Sequence, residues 1–74
     1  MSKLYQPSAP ELVKWFVYKG FNRAKTGKTS HIKLYRGNRR TTISMKHGKK
    51  KIPIGTLKAI LKQTDMEREY RNEF

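Results

Sequence analysis

Ala9, Leu12, Val13 and Phe16 follow the i, i+3, i+4, i+7 spacing of a single buried helical stripe. Ser8 and Glu11 stand ahead of it as a capping box, and Pro10 falls in the first turn, where helix amides lack partners. Gly20 supplies a left-handed stop. The pattern predicts a helix from about Ala9 to Lys19, with Trp15 and Tyr18 flanking the stripe. Beyond Gly20 the period changes. "FNRAK", Phe21 to Lys25, reads as a short, weakly alternating strand. In "HIKLYR", Ile32 and Leu34 share one face while His31, Lys33 and Tyr35 share the other, and Gly37-Asn38 is a two-residue hairpin turn. Folding the chain back on that turn sets Tyr35 opposite Arg40, Leu34 opposite Thr41, Lys33 opposite Thr42, Ile32 opposite Ile43 and His31 opposite Ser44. This register keeps an apolar face and a cationic face apart. "KHGKKKIP" is a basic loop ending at Pro53. Leu57, Ile60 and Leu61 then repeat at helical spacing, with Lys58 and Lys62 outside, predicting a second helix from about Gly55 to Gln63. At the start of the tail, residues 65–74, Thr64 just before it and Glu67 within it have the spacing of one more cap, for a short third helix.

These elements predict a small α+β domain in the order α-β-β-β-α. Its three-stranded antiparallel sheet has both helices on one face, because the helical stripes and Ile32, Leu34, Ile43 and Met45 need the same cover. The chain, 74 residues long, is read as one domain, with residues 1–7 as a loose lead-in and residues 65–74 as an acidic tail. The uncovered face would then present His31, Lys33, Tyr35 and Arg40.

Charge changes the picture from fold to partner. There are 18 Lys and Arg against 5 Asp and Glu, a net charge of +13, which implies a polyanion or a strongly acidic protein as partner. After Glu11 no carboxylate follows until Asp65, so paired-carboxylate hydrolysis, two-metal phosphoryl transfer and oxygen-ligated magnesium have no residues to work with between positions 12 and 64. With no cysteine there is no disulfide framework and no thiolate zinc site. The expected chemistry is free of metal and cofactor. Gly27-Lys28-Thr29 resembles part of a phosphate-cradling loop, but the second glycine that loop requires falls at Asn22, so the triplet reads as a turn. His31 and His47 are the titratable candidates, with Tyr35 or a lysine in support. Lys28, Lys33, Arg39 and Arg40 are candidate phosphate contacts, and Tyr35 a candidate stacking platform for a base. The run "LVKWFVY" is short and broken by Lys14, so no membrane association is expected and the reading is a cytoplasmic protein.

Gly20-Phe21, Ser30-His31 opening a strand, Arg39-Arg40 after the hairpin, His47-Gly48 and above all "GTLKAILKQ" at residues 55–63 together resemble the HicA family of toxins. The resemblance covers about Glu11 to Thr64. It implies a fold like the double-stranded-RNA-binding domain and an mRNA-cleaving endoribonuclease of a toxin-antitoxin pair, partnered by a HicB-type antitoxin. The family's one essential histidine, in a Gly-Ser-His motif, maps to His31 beside Ser30. This chain has Thr29 where the family usually has glycine. His47 is a looser correspondence, as a secondary site residue. Metal-free cleavage would use the ribose 2′-hydroxyl as nucleophile and His31 as general acid or base. The alternative is a non-catalytic RNA-binding module using the same basic surface for shape recognition.

Overall fold

The computed structural model describes residues 4–25, 30–46 and 48–74. The Gly27-Lys28-Thr29 turn, with its Lys28, and His47 lie outside the described residues. Among those described, the order is α1 (Ala9–Tyr18), β1 (Asn22–Lys25), β2 (His31–Arg36), β3 (Arg39–Ser44), α2 (Ile54–Thr64) and α3 (Glu67–Glu73). This is the expected α+β architecture, with the acidic tail formed into the third helix.

α1 begins as the sequence predicts. The Ser8 hydroxyl accepts the amide of Glu11 at 3.3 Å, satisfying one of the amides that a first turn leaves unpaired. The Glu11 carboxylate is used otherwise, accepting the Tyr5 hydroxyl at 3.1 Å. That bond raises the Tyr5 pKa, since the phenol proton is held against a carboxylate. Leu12, Val13, Trp15 and Phe16 are buried, and Gly20 closes the helix at φ 96°, a conformation that costs an L-residue dearly.

The sheet has strand order β1-β2-β3, antiparallel throughout. The β2–β3 register is the expected one at every pair from His31↔Ser44 to Tyr35↔Arg40, and it extends to Arg36↔Arg39. Positive φ falls on Gly37 alone of the two turn residues, as in a type II′ hairpin with glycine first. Ile32, Leu34 and Ile43 are buried beneath the helices in one cluster with Leu12, Phe16, Leu57, Ile60 and Leu61, the polar Thr41 is buried on the same face, and Met45 packs at the cluster's margin. Truncating a fully buried leucine such as Leu34 to alanine costs about 2–5 kcal/mol. Principal extents of 40 × 28 × 18 Å accommodate two layers, and the second sheet face is uncovered, with His31, Lys33, Tyr35, Arg40 and Thr42 exposed.

Two expectations are corrected at the ends of the chain. The lead-in is tied down from Leu4 onward: Leu4 and Pro7 are buried, the Tyr5 carbonyl accepts the Tyr70 hydroxyl at 2.7 Å, and the Pro7 carbonyl accepts the Ile52 amide at 2.8 Å. The hydroxyl of Thr64 does not cap α3. It is buried and donates back to the Ile60 carbonyl at 2.9 Å, because Thr64 is the last residue of α2.

The turn between α2 and α3 is a Schellman motif. The Met66 amide reaches the Leu61 carbonyl at 3.0 Å and the Asp65 amide the Lys62 carbonyl at 3.2 Å, with Asp65 left-handed at φ 54°, ψ 40°. Met66 and Leu61, at the positions whose contact accompanies this motif, are both fully buried. α3 then lays Tyr70 edge-on to Trp15 at 5.3 Å between centroids, and Glu73 accepts the Trp15 indole N–H at 3.0 Å and the Lys19 ammonium. The Lys19 ammonium and then the Trp15 indole hold the Glu73 carboxyl below its ordinary value of 4.5, and the Glu73 carboxylate in turn holds the Lys19 ammonium above its ordinary 10.5. Burial is the first cause that raises the Tyr70 phenol, with the Glu11 charge adding to it.

Two outcomes follow for stability. Asp65→Gly removes a side chain from a left-handed position at the loss of one exposed ion pair with Arg39, so a gain of roughly 0.5–1 kcal/mol is expected, a few degrees in Tm by circular dichroism. A depressed carboxylate stabilises the fold above its unfolded pKa, and that contribution disappears as pH falls through the folded value. The emission of Trp15, the one tryptophan, is therefore expected to report loosening of α3 below about pH 4.5, and Glu73→Gln to flatten that acid limb.

Candidate nucleic-acid interface

Strand alternation builds this surface. Side chains one residue apart leave opposite faces of a sheet, so burying Ile32 and Leu34 forces His31, Lys33 and Tyr35 outward. On β3 the same parity sends Arg40, Thr42 and Ser44 outward, and on β1 Asn22 and Ala24. The three rows are in register: Asn22, Tyr35 and Arg40 lie abreast at one end, Ala24, Lys33 and Thr42 in the middle, and His31 beside Ser44 at the other end. Successive side chains along β2 stand about 7 Å apart and His31 lies about 13 Å from Tyr35, on a rise near 3.3 Å per residue.

His31, Lys33, Tyr35, Arg40 and Thr42 are exposed. Tyr35 shows 39% of its surface, enough to present a ring face, and stands between Asn22 and Arg40, while the small Ala24 and Thr42 flank Lys33. No carboxylate lies on these strands, because Glu11 belongs to α1 and the other four acids follow residue 64. The surface thus combines cations, one imidazole and one aromatic ring with no local counter-charge. Among the described residues no three of His, Cys, Asp and Glu cluster as metal donors.

The structure does not bring every candidate to this surface. Arg39 pairs with Arg36, and both point to the helix side at the hairpin end. Arg39 is half-buried, its guanidinium 3.6 Å from the Met66 sulfur and 3.7 Å from the Asp65 carboxylate. Arg36, which sequence reasoning passed over, donates to the Lys19 carbonyl at 2.7 Å and lies 4.9 Å above the Phe21 ring, a cation–π contact. Parity could have separated Arg39 from Arg40, since one register assigns them to opposite faces. Ser30 is exposed just before β2, its carbonyl accepting the Met45 amide at 2.7 Å, which extends the ladder by one pair and fixes the backbone on which His31 stands. Lys28 and His47 lie outside the described residues.

Beside the open face, a groove follows the outer edge of β3, lined by Lys33, Asn38, Arg40, Thr41, Thr42 and Gln63, with the Thr41 hydroxyl donating to the Gln63 side-chain oxygen at 2.7 Å at its foot. A basic stretch, Lys46 and Lys49 to Lys51, follows the Ser44 end of the sheet and is exposed. No helix among the described residues is long and apolar enough to cross a membrane.

Comparison with curated proteins and with solved structures returns no match. The family model described as HicA toxin of bacterial toxin-antitoxin systems matches residues 9–66, a span that runs from the first residue of α1 through all three strands to the buried Met66. With well over half the chain matched, the chain belongs to the HicA family, toxins of bacterial toxin-antitoxin systems.

Proposed function

We propose that this toxin is a metal-independent endoribonuclease that cleaves mRNA in the cytoplasm, with His31 as its general acid or base and a HicB-type antitoxin as its inhibitor. One observation carries the reading: an exposed histidine stands in a single row with Lys33 and Tyr35 on a sheet face that has no acid. A polyphosphate chain is attracted to such a face by counterion release. Lys33 and Arg40 contact phosphates, and Tyr35 stacks on a base about two nucleotides from the imidazole.

The reaction follows from the groups present. Neutral His31 takes the proton of a ribose 2′-hydroxyl, the 2′-oxygen attacks the adjacent phosphorus, and the bond from phosphorus to the 5′-oxygen breaks. That oxygen leaves with a proton, so the products carry a 2′,3′-cyclic phosphate and a 5′-hydroxyl. Cationic side chains stabilise the extra negative charge on the phosphoryl oxygens as it develops. The proton donor to the leaving group is His47, Tyr35, a lysine or solvent. Ser30 and Lys28 belong to this proposal as neighbours of His31 in sequence, Ser30 through its ladder bond and Lys28 through its charge. The chain as a whole is read as one domain serving this site.

RNA treated with chelator is expected to be cut by the parent protein into fragments with cyclic phosphate ends, and a single 2′-deoxy substitution at the cut site to abolish the cut there. His31→Ala is expected to lose at least a hundredfold in cleavage rate, as removal of a general base does, while binding RNA within a few-fold of the parent. A parent that binds without cutting would instead make the chain a shape-reading RNA module. The face assignment gives a separate expectation for a non-cleavable RNA. Arg40→Ala and Lys33→Ala should each lower the slope of log affinity against log salt by about 1, whereas Arg39→Ala should leave it unchanged.

A further inference from the structure

β3 ends the sheet and so presents an outer edge beside the open face. In a two-residue hairpin the flanking pair, Arg36↔Arg39, exchanges both main-chain bonds, and hydrogen-bonded pairs then recur at every second position: Leu34↔Thr41, Ile32↔Ile43 and, confirmed by the 2.7 Å bond from the Met45 amide to the Ser30 carbonyl, Ser30↔Met45. The main-chain groups of the intervening residues, Arg40, Thr42 and Ser44, must therefore point away from β2. Strand order is β1-β2-β3, and among the described residues no strand lies beyond β3. Of the usual protections of an edge β3 carries only charge, in Arg39 and Arg40: it has no proline, pairs without a bulge and is six residues long.

The groove lined by Lys33, Arg40, Thr42 and Gln63 runs along this edge and has no carboxylate in its wall. Its chemistry is specific about what it takes. An edge offers amides and carbonyls alternately. Phosphate oxygens could accept from the amides but would be repelled by the carbonyls, whereas a peptide strand answers both. A second copy of the chain would set one charge of +13 against another. An extended peptide with acidic side chains satisfies the main-chain groups and the cations Lys33 and Arg40 together.

We propose that the antitoxin inserts an extended acidic segment along β3, adding a fourth antiparallel or parallel strand to the toxin sheet. This rests on the chain's place in a toxin-antitoxin family and on a HicB-type partner, and it is independent of whether His31 cleaves RNA. A strand there would also hang over Arg40 and Lys33, restricting the approach of a polyanion to the open face.

Amide hydrogen exchange on the full chain tests it, measured for the chain alone, with co-expressed HicB-type antitoxin, and with chelator-treated RNA. The amides of Arg40, Thr42 and Ser44 are expected to slow at least tenfold with antitoxin and to be unchanged by RNA. Unchanged rates with antitoxin would overturn the proposal, as would equal protection by RNA or protection that grows with the concentration of the chain alone. Thr42→Pro deletes one outward amide and no bond of the β2–β3 ladder. It is expected to weaken antitoxin binding at least tenfold with the circular dichroism spectrum preserved, and a folded variant that binds as tightly as the parent would overturn the proposal. Should the proline variant fail to fold, the exchange rates of the parent decide. Both readouts are binding measurements, so a chain that fails to cut RNA leaves them intact.

Discussion

The pairing of β2 with β3 about Gly37-Asn38 is the constraint on which both the core and the surface depend. Strand side chains alternate, so a slip of one residue would carry Ile32 and Leu34 into water and drive His31, Lys33 and Tyr35 against Leu12 and Phe16. Burying three such polar groups unpaired would cost several kcal/mol, comparable with the whole stability of a small domain. The hydrophobic demand of one face therefore fixes the position of the imidazole on the other. Glycine at the first turn position holds this register locally, and the bond from Met45 to Ser30 holds it at the far end, beside His31.

Charge is segregated by the same two-layer logic. The acids after residue 64 are placed on the helical side, where α3 packs its Tyr70 against Trp15 of α1. Glu73 is engaged by Lys19 and the Trp15 indole, and Glu67 by Arg71 at 2.9 Å one turn along. None of them lies on the strands to neutralise Lys33 or Arg40. At physiological salt the field of an exposed charge dies away over about 8 Å, so acids on the opposite layer do little to screen the open face. The tail that carries them is also part of the core, since Met66 and Tyr70 are fully buried, and burying a methionine side chain contributes about 1.5–3 kcal/mol.

The alternation in "HIKLYR" and the glycine in the turn were enough to read the hairpin residue by residue, because a period of two leaves a single register with clean faces. The stripes of α1 and α2 were legible for the same reason. What escaped was held by contacts distant in sequence. Nothing near Tyr5 announces that its carbonyl receives the Tyr70 hydroxyl, sixty-five positions away, so the segment from Leu4 read as loose. Thr64 looked like a cap because Glu67 stands three residues on. The local pattern cannot show that α2 continues through Thr64 and ends in a left-handed Asp65. At the candidate site, His31, Lys33, Tyr35 and Arg40 were legible from parity, while Arg39 was grouped with its neighbour by charge alone.

Arg36 and Arg39 show why composition overstates the field available to a polyanion. Like charges directly opposite on paired strands repel, and this pair persists because each guanidinium has partners on the helical side. Arg36 is held by the Lys19 carbonyl and the Phe21 ring, Arg39 by Asp65, and both approach the Met66 sulfur. Together they tie the hairpin to the end of α1 and to the turn between α2 and α3. Two of the eighteen cations are thus fasteners that fix the angle of the sheet to its helices. The strand cations that can act on a ligand at the open face are those whose parity sets them beside His31 and Tyr35. For this reason a count of basic residues says little about the site, and the face on which each one stands says a great deal.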